Sequence, residues 1–198
     1  MRLHAHQSLL LLIDFQSRLL PVIPGAEQGI REAGWLSGVA CELDVPVWLT
    51  EQNPAQLGHT DASLTQALGE HAVWEKQHFS ITEEPAFTRA LEKAERKQIV
   101  LCGTEAHICV LQSALGLLEA GFEVYWLVEA TLSRRPAEAE LARVRAAQHG
   151  AVSISADMAA YEWLHRCDTA LFKRLHREFL KPRAGRALTF SSDPARGA

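Results

Sequence analysis

Four apolar runs recur along the chain, each followed by enough residues for a helix: "SLLLLI" from Ser8, "VPVWLT" from Val45, "QIVLCG" from Gln98 and "FEVYWLVEA" from Phe122. None alternates polar with apolar residues in the manner of a half-buried strand. A strand that is apolar on both faces must be covered on both, which is the condition of a parallel sheet. Hairpins need only short turns, whereas parallel strands need crossovers of a dozen residues or more. Two shorter runs, "AVWEK" ending at Lys76 and "AVSIS" from Ala151, bring the expected strands to six. The pattern predicts a three-layer, doubly wound α/β domain, a six-stranded parallel sheet with helices on both faces and a Rossmann-like topology.

The intervening segments carry helical signals. Apolar residues recur at helical spacing from Ala26 to Leu43. "ASLTQAL" reads as a short helix, and "NPAQLGHTD" before it as a loop. "EEPAFTRALEKAERK" has acids at its start and bases at its end, as the helix dipole favours. "ICVLQSALGLLEAG" stops at Gly121 and "RPAEAELARVRAAQHG" at Gly150. A long helical segment is expected from Asp157 to Leu180. No repeat or linker divides the chain. Residues 1–182 form the expected domain, and the aperiodic residues 183–198 form a C-terminal tail.

Composition removes some functions. With 24 acidic and 20 basic residues the net charge is -4, so charge gives no basis for binding nucleic acid or an anionic membrane. The apolar run Leu9–Ile13 is far too short to span a bilayer, and no signal-peptide layout surrounds it, so a cytoplasmic protein is expected. Four cysteines form no C-x-x-C pair, which argues against a disulfide framework and a cysteine zinc site. Cys41, Cys102 and Cys167 read as small buried hydrophobes. The scattered histidines His59, His71 and His78 read as solvated loop residues rather than metal ligands, and no cofactor is expected.

In an open parallel sheet, chemistry gathers outside the carboxyl ends of the strands. Those ends carry Asp14 and Gln16; Thr50, Glu51 and Gln52; Glu75, Lys76 and His78; and Thr104, Glu105, His107 and Cys109. Cys109 falls in the first turn of a helix, where unpaired N–H groups and the dipole favour thiolate over thiol. A lysine nearby acts in the same direction, and a carboxylate nearby is a proton acceptor. These are the parts of an activated cysteine nucleophile.

Three segments, "LLLIDFQSRLL", "WEKQHFS" and "VLCGTEAHICVLQSALGLLEAGFEV", resemble the isochorismatase-like cysteine hydrolases over roughly residues 7–180. "TEQNPAQLG" and "VEATLSRRP" are closer to the branch of isochorismatase domain-containing proteins without assigned substrates. The resemblance implies a catalytic triad of Asp14, Lys76 and Cys109. It implies a cis peptide at Thr104–Glu105 and an oxyanion hole from the Glu105 and Cys109 N–H groups. Gln16, Gln52 and Phe79 are the expected substrate contacts, with Glu75 and His78 as rivals to Lys76. Where nicotinamidases of this family carry an Asp and His metal cluster, the chain has only His59, so no metal is expected. Glu129 stands where the family's usual pair begins with Asp.

The resulting expectation is a hydrolase that cleaves a C–N (amide-like) or related bond of a small molecule through a covalent Cys109 intermediate. The alternative is a non-catalytic or redox-sensing binding protein that retains the fold. The helix after Cys109 is apolar almost all round, which, with the family's habit, implies a homo-oligomer.

Overall fold

A computed structural model describes residues 2–188. Six strands form one sheet: β1 (Ser8–Ile13), β2 (Val47–Gln52), β3 (Ala72–Lys76), β4 (Gln98–Gly103), β5 (Glu123–Thr131) and β6 (Val152–Ile154). Their order is β3-β2-β1-β4-β5-β6, with every neighbouring pair parallel. The helices are α1 (Ala26–Glu42), α2 (Pro54–Leu57), α3 (Ala62–Ala67), α4 (Pro85–Ala94), α5 (Leu111–Glu119), α6 (Pro136–Gln148), α7 (Ala156–Leu164), α8 (Ala170–Leu175) and α9 (Lys181–Arg183). The expected doubly wound α/β sheet is the one observed.

The continuous apolar runs explain the two covered faces. Leu10 and Leu12 of β1 join a core with Leu36 and Val39 of α1 and Ala160 and Trp163 of α7. Leu9, Leu11 and Ile13 point the other way, onto Phe87 of α4, Ala114 and Leu117 of α5 and Ala142 of α6. Every residue of β1 is buried. Burying one such leucine contributes about 1.5–3 kcal/mol, so truncating Leu11 to Ala costs about 2–5 kcal/mol.

Strand order reverses between β1 and β4, and the crevice outside their carboxyl ends is the switch point of the sheet. The two strands pair Ile13 with Gly103. Gly103 has φ +141°, and a Cβ there would lie 2.0 Å from the Ile13 carbonyl oxygen. Only glycine permits that approach. β1 then exits through Asp14 in the left-handed region at φ 51°.

Several expectations are corrected. The helix expected over 157–180 is broken: α7 ends at Leu164, and Thr169 caps a new helix by accepting the Phe172 N–H. The loop after β2 contains α2, started by Pro54. Cys102 is buried as expected, but Cys41 and Cys167 are exposed. Both lie where helix-period reasoning is weakest, at the last turn of α1 and in the 165–169 break. Arg183, expected to open the tail, is buried and closes α9. Residues 189–198 of the expected tail lie outside the described residues. Among the described residues no helix is long and apolar enough to cross a membrane.

Candidate active site

The strand ends at the switch point bring Asp14, Lys76 and Cys109 together. Alternation along β3 turns Lys76 inward and leaves Glu75 exposed. The Lys76 ammonium lies 2.8 Å from Asp14 Oδ2, an ion pair without the alignment of a regular hydrogen bond. It also donates to Gln52 Oε1 at 2.6 Å and to the carbonyls of Phe79 at 3.2 Å and His78 at 3.4 Å. Asp14 Oδ1 accepts the Thr50 hydroxyl at 2.6 Å, and the Asp14 carbonyl accepts the Thr104 hydroxyl at 2.5 Å. His78, the other rival to Lys76, turns away to Glu84 at 3.0 Å.

Cys109 sits at the start of the α5 helix, but the opening turn, Ala106–Val110, is a π-turn. The Glu105 carbonyl accepts the N–H of Ile108 at 3.0 Å and of Val110 at 3.2 Å, passing over the Cys109 N–H between them. Such bulges free backbone donors and are frequent at functional sites. The Thr104–Glu105 peptide is cis, as the resemblance implies. The sulfur lies 3.9 Å from Gln52 Oε1, and the charges of Asp14 and Lys76 both act on it. The residue is 7% exposed.

The electrostatics differ from the expectation of a resting thiolate. Burial pushes the Cys109 thiol up to about 12, and the Asp14 charge adds to this, while Lys76 opposes it. Burial also lifts the Asp14 carboxyl above its ordinary value, against the pull of Lys76. The helix-terminus argument is local; desolvation depends on everything packed around the sulfur, and it wins.

The expected substrate contacts separate into different environments. Gln52 lies at the centre of the cluster. Gln16 is fully buried, with its carboxamide engaged by Gln52 N–H at 2.8 Å, Gln52 carbonyl at 3.0 Å and Gly58 carbonyl at 2.6 Å. Phe79 is 53% exposed and lines a surface groove with Ser80, Gln112 and Leu115. A larger groove of about 720 Å³ between α4 and α5 contains none of the Asp14, Lys76 and Cys109 cluster.

Sequence reasoning missed two supports. Glu51 accepts the Thr60 N–H at 2.7 Å, the Thr60 hydroxyl at 2.8 Å and the His59 ring at 2.8 Å, clamping the 53–61 loop. These hydrogen bonds hold Glu51 below the usual carboxylate range although burial acts to raise it. Glu105 is 4% exposed, and its carboxylate accepts Arg134 Nε at 2.6 Å and Arg134 N–H at 3.1 Å, with a further contact to Arg134 Nη2. An acid between the apolar strand β4 and the helix that carries Cys109 was the available signal that a cation must face it. Among the described residues no group of three or more His, Cys, Asp or Glu side chains is arranged to hold a metal ion.

The family profile of the Isochorismatase domain matches residues 8–158. The chain belongs to the isochorismatase family. It is 36% identical to isochorismatase domain-containing protein 2 of Homo sapiens over 146 residues, 73% of this chain and 69% of that protein. Among solved structures, one described as a MAR1 ribonuclease from Caenorhabditis elegans superposes with TM-score 0.85 at 29% identity, covering 91% of this chain and 93% of that one. An octameric Escherichia coli hydrolase of unknown specificity shares the fold with TM-score 0.80 at 21% identity, covering 93% of each chain. At the level of its family, this isochorismatase-fold chain is a hydrolase.

Glu129, the departure from the family's usual residue, faces away from Cys109. Its Oε1 accepts the Ala156 N–H at 2.7 Å and Arg183 Nη2 at 3.0 Å. Arg183 also binds Glu32 at 2.6 Å and Asp157 at 2.7 Å and stacks over the Trp35 ring at 4.4 Å.

Proposed function

We propose that this isochorismatase-family chain cleaves a C–N (amide-like) bond of a small molecule through a covalent intermediate on Cys109. The observation that supports it most is a buried Asp14–Lys76 ion pair at the carboxyl ends of the strands whose two charges both act on the Cys109 thiol. As Sγ attacks the carbonyl carbon, the thiol proton passes to Asp14. The Glu105 and Cys109 N–H groups receive the developing oxyanion. Collapse breaks the C–N bond, and Asp14 delivers its proton to the leaving amine. Water then attacks the thioester, giving one proton to Asp14 as the acid departs, and that proton returns to the sulfur. Lys76 keeps its charge throughout and offsets the negative charge as it moves between carboxylate and sulfur. A carboxyl lifted by burial suits this use, because a base is most effective when its pKa approaches the working pH.

Burial of the thiol weighs against the redox-sensing alternative, since it is the thiolate that peroxide oxidises. A ribonuclease reading would rest on the description of the worm structure; the 7% exposure of Cys109 and the net charge of -4 favour a small neutral or cationic substrate. Free cysteines favour a reducing, cytoplasmic setting. The exposed Leu141 and Val144 on α6 and the octameric E. coli neighbour favour a homo-oligomer.

A panel of small amides and ureas, with an RNA oligonucleotide as a further arm, tests the reaction class with wild type, Cys109→Ser and Cys109→Ala. The expected result is turnover of an amide by the wild type alone, with an acyl adduct on Cys109 by mass spectrometry. Full turnover by Cys109→Ala would overturn the mechanism.

A further inference from the structure

The Lys76 ammonium has three N–H bonds and four oxygens around it, and Gln52 Oε1 is the nearest at 2.6 Å. An ammonium so occupied has no donor left for an incoming carbonyl. It acts through its charge, and its position relative to the sulfur depends on what holds it.

Gln52 is itself held. Its Nε2 donates to the Gln77 carbonyl at 2.9 Å. Its backbone N–H and carbonyl pair with the two ends of the Gln16 carboxamide at 2.8 and 3.0 Å. With Nε2 committed to Gln77, the oxygen must face the ammonium; the reversed amide would set N–H against N–H. The same oxygen is the acceptor 3.9 Å from Cys109 Sγ.

Charge explains why an amide stands here. Asp14 and Lys76 cancel, so the cluster around the resting thiol is neutral. Ionising the thiol adds one negative charge. A carboxylate at position 52 would place another beside the sulfur and compete with Asp14 for the ammonium. An amide offers the same acceptor geometry without the charge.

We infer that Gln52 is a positioning residue that fixes Lys76 between Asp14 and Cys109, and that its neutrality keeps the thiol ionisable. This rests on the hydrolase reading above, but it assigns Gln52 a task other than contacting substrate.

The test needs no known substrate. The rate of Cys109 alkylation by iodoacetamide is followed between about pH 7 and 10.5 by peptide mass, which separates Cys109 from the exposed Cys41 and Cys167. Far-UV circular dichroism confirms that each variant is folded. Gln52→Glu is expected to slow alkylation about 10-fold or more at fixed pH, equivalent to about one pKa unit. Gln52→Met, uncharged and without an acceptor, is expected to slow it several-fold, and it carries the test alone if Gln52→Glu does not fold. Lys76→Met should slow alkylation, and Asp14→Asn should speed it. Wild-type rates in both Gln52 variants, with Lys76→Met and Asp14→Asn shifted as expected, would overturn the inference and leave the triad standing. Wild-type rates in all four would overturn the triad as well.

Discussion

Lys76 Nζ lies 2.8 Å from Asp14 Oδ2, and neither side chain has exposed surface. Two charges out of water are tolerated only as a pair, so removing one partner costs more than the pair contributes. Lys76→Met is therefore expected to lose about 3–5 kcal/mol of stability, and the double variant Asp14→Asn/Lys76→Met to recover part of it. Urea denaturation of the three proteins measures this. A single variant as stable as wild type would show that the pair is not buried as described.

The protonated resting thiol leads to a kinetic expectation. With Cys109 pushed up to about 12, against about 8.5 for a free cysteine, little thiolate exists at neutral pH. Iodoacetamide should modify Cys109 at least ~100-fold more slowly than a cysteine in an unstructured peptide at about pH 8. The rate should still be rising at about pH 10. A plateau below about pH 8 would mean that the helix terminus and Lys76 outweigh desolvation after all.

Gly103 controls how closely β4 approaches β1. A methyl group there meets the Ile13 carbonyl at 2.0 Å, and φ +141° is foreign to residues with a side chain. The obstacle is backbone in mid-sheet, which has no room to move. Gly103→Ala is expected to cost at least ~3 kcal/mol and to reduce soluble yield, as read by chemical denaturation and expression level. Unchanged stability would indicate that the strand pair opens to admit the methyl group.

These contrasts show what the sequence could carry. The sheet was legible because "SLLLLI" and "QIVLCG" are apolar on both faces, and that property belongs to the strand alone. Asp14, Lys76 and Cys109 were legible as strand-end residues joined by the resemblance of their segments. The state of the thiol was not, because helix-terminus stabilisation is local whereas desolvation sums over α5, α6 and β4, which pack around the Cys109 turn. The break at 165–169 was hidden because Thr169 is compatible with either a helix interior or a cap. Arg183 was hidden for a different reason: its partners Glu32, Glu129 and Asp157 come from three other elements, and no local pattern joins them.

That Arg183 cluster has its own pH signature. Glu32 and Glu129 are both without exposed side-chain surface against the Arg183 guanidinium, Glu32 also lies 3.6 Å from Arg31 and from Arg186, and burial lifts Glu129 above the ordinary carboxylate range. A group whose folded value is raised contributes stability below its unfolded value, and this is lost as pH rises through the folded value. Without the cation, Glu129 would be raised further. Arg183→Met should therefore be destabilised by about 3–5 kcal/mol near neutral pH and by less in mild acid. Denaturation at two pH values tests the sign; a deficit that grows toward acid would refute it.

Glu105 behaves in the opposite sense. Burial acts to raise it, but the Arg134 hydrogen bonds hold it below the usual carboxylate range. Its contribution is present above its unfolded value and is lost as pH falls through the folded one. Arg134→Ala should cost only about 1–2 kcal/mol at neutral pH, because the guanidinium is half-exposed and screened, and the gap from wild type should close in acid. Turnover should fall further than stability does. Glu105 itself carries one of the two N–H groups proposed to take the oxyanion, and losing one such donor costs about 100-fold or more. Arg134→Lys keeps the charge but not the two-pronged geometry, so it should restore the acid dependence of stability before it restores rate. A variant in which rate and stability return together would reduce Arg134 to a plain surface ion pair.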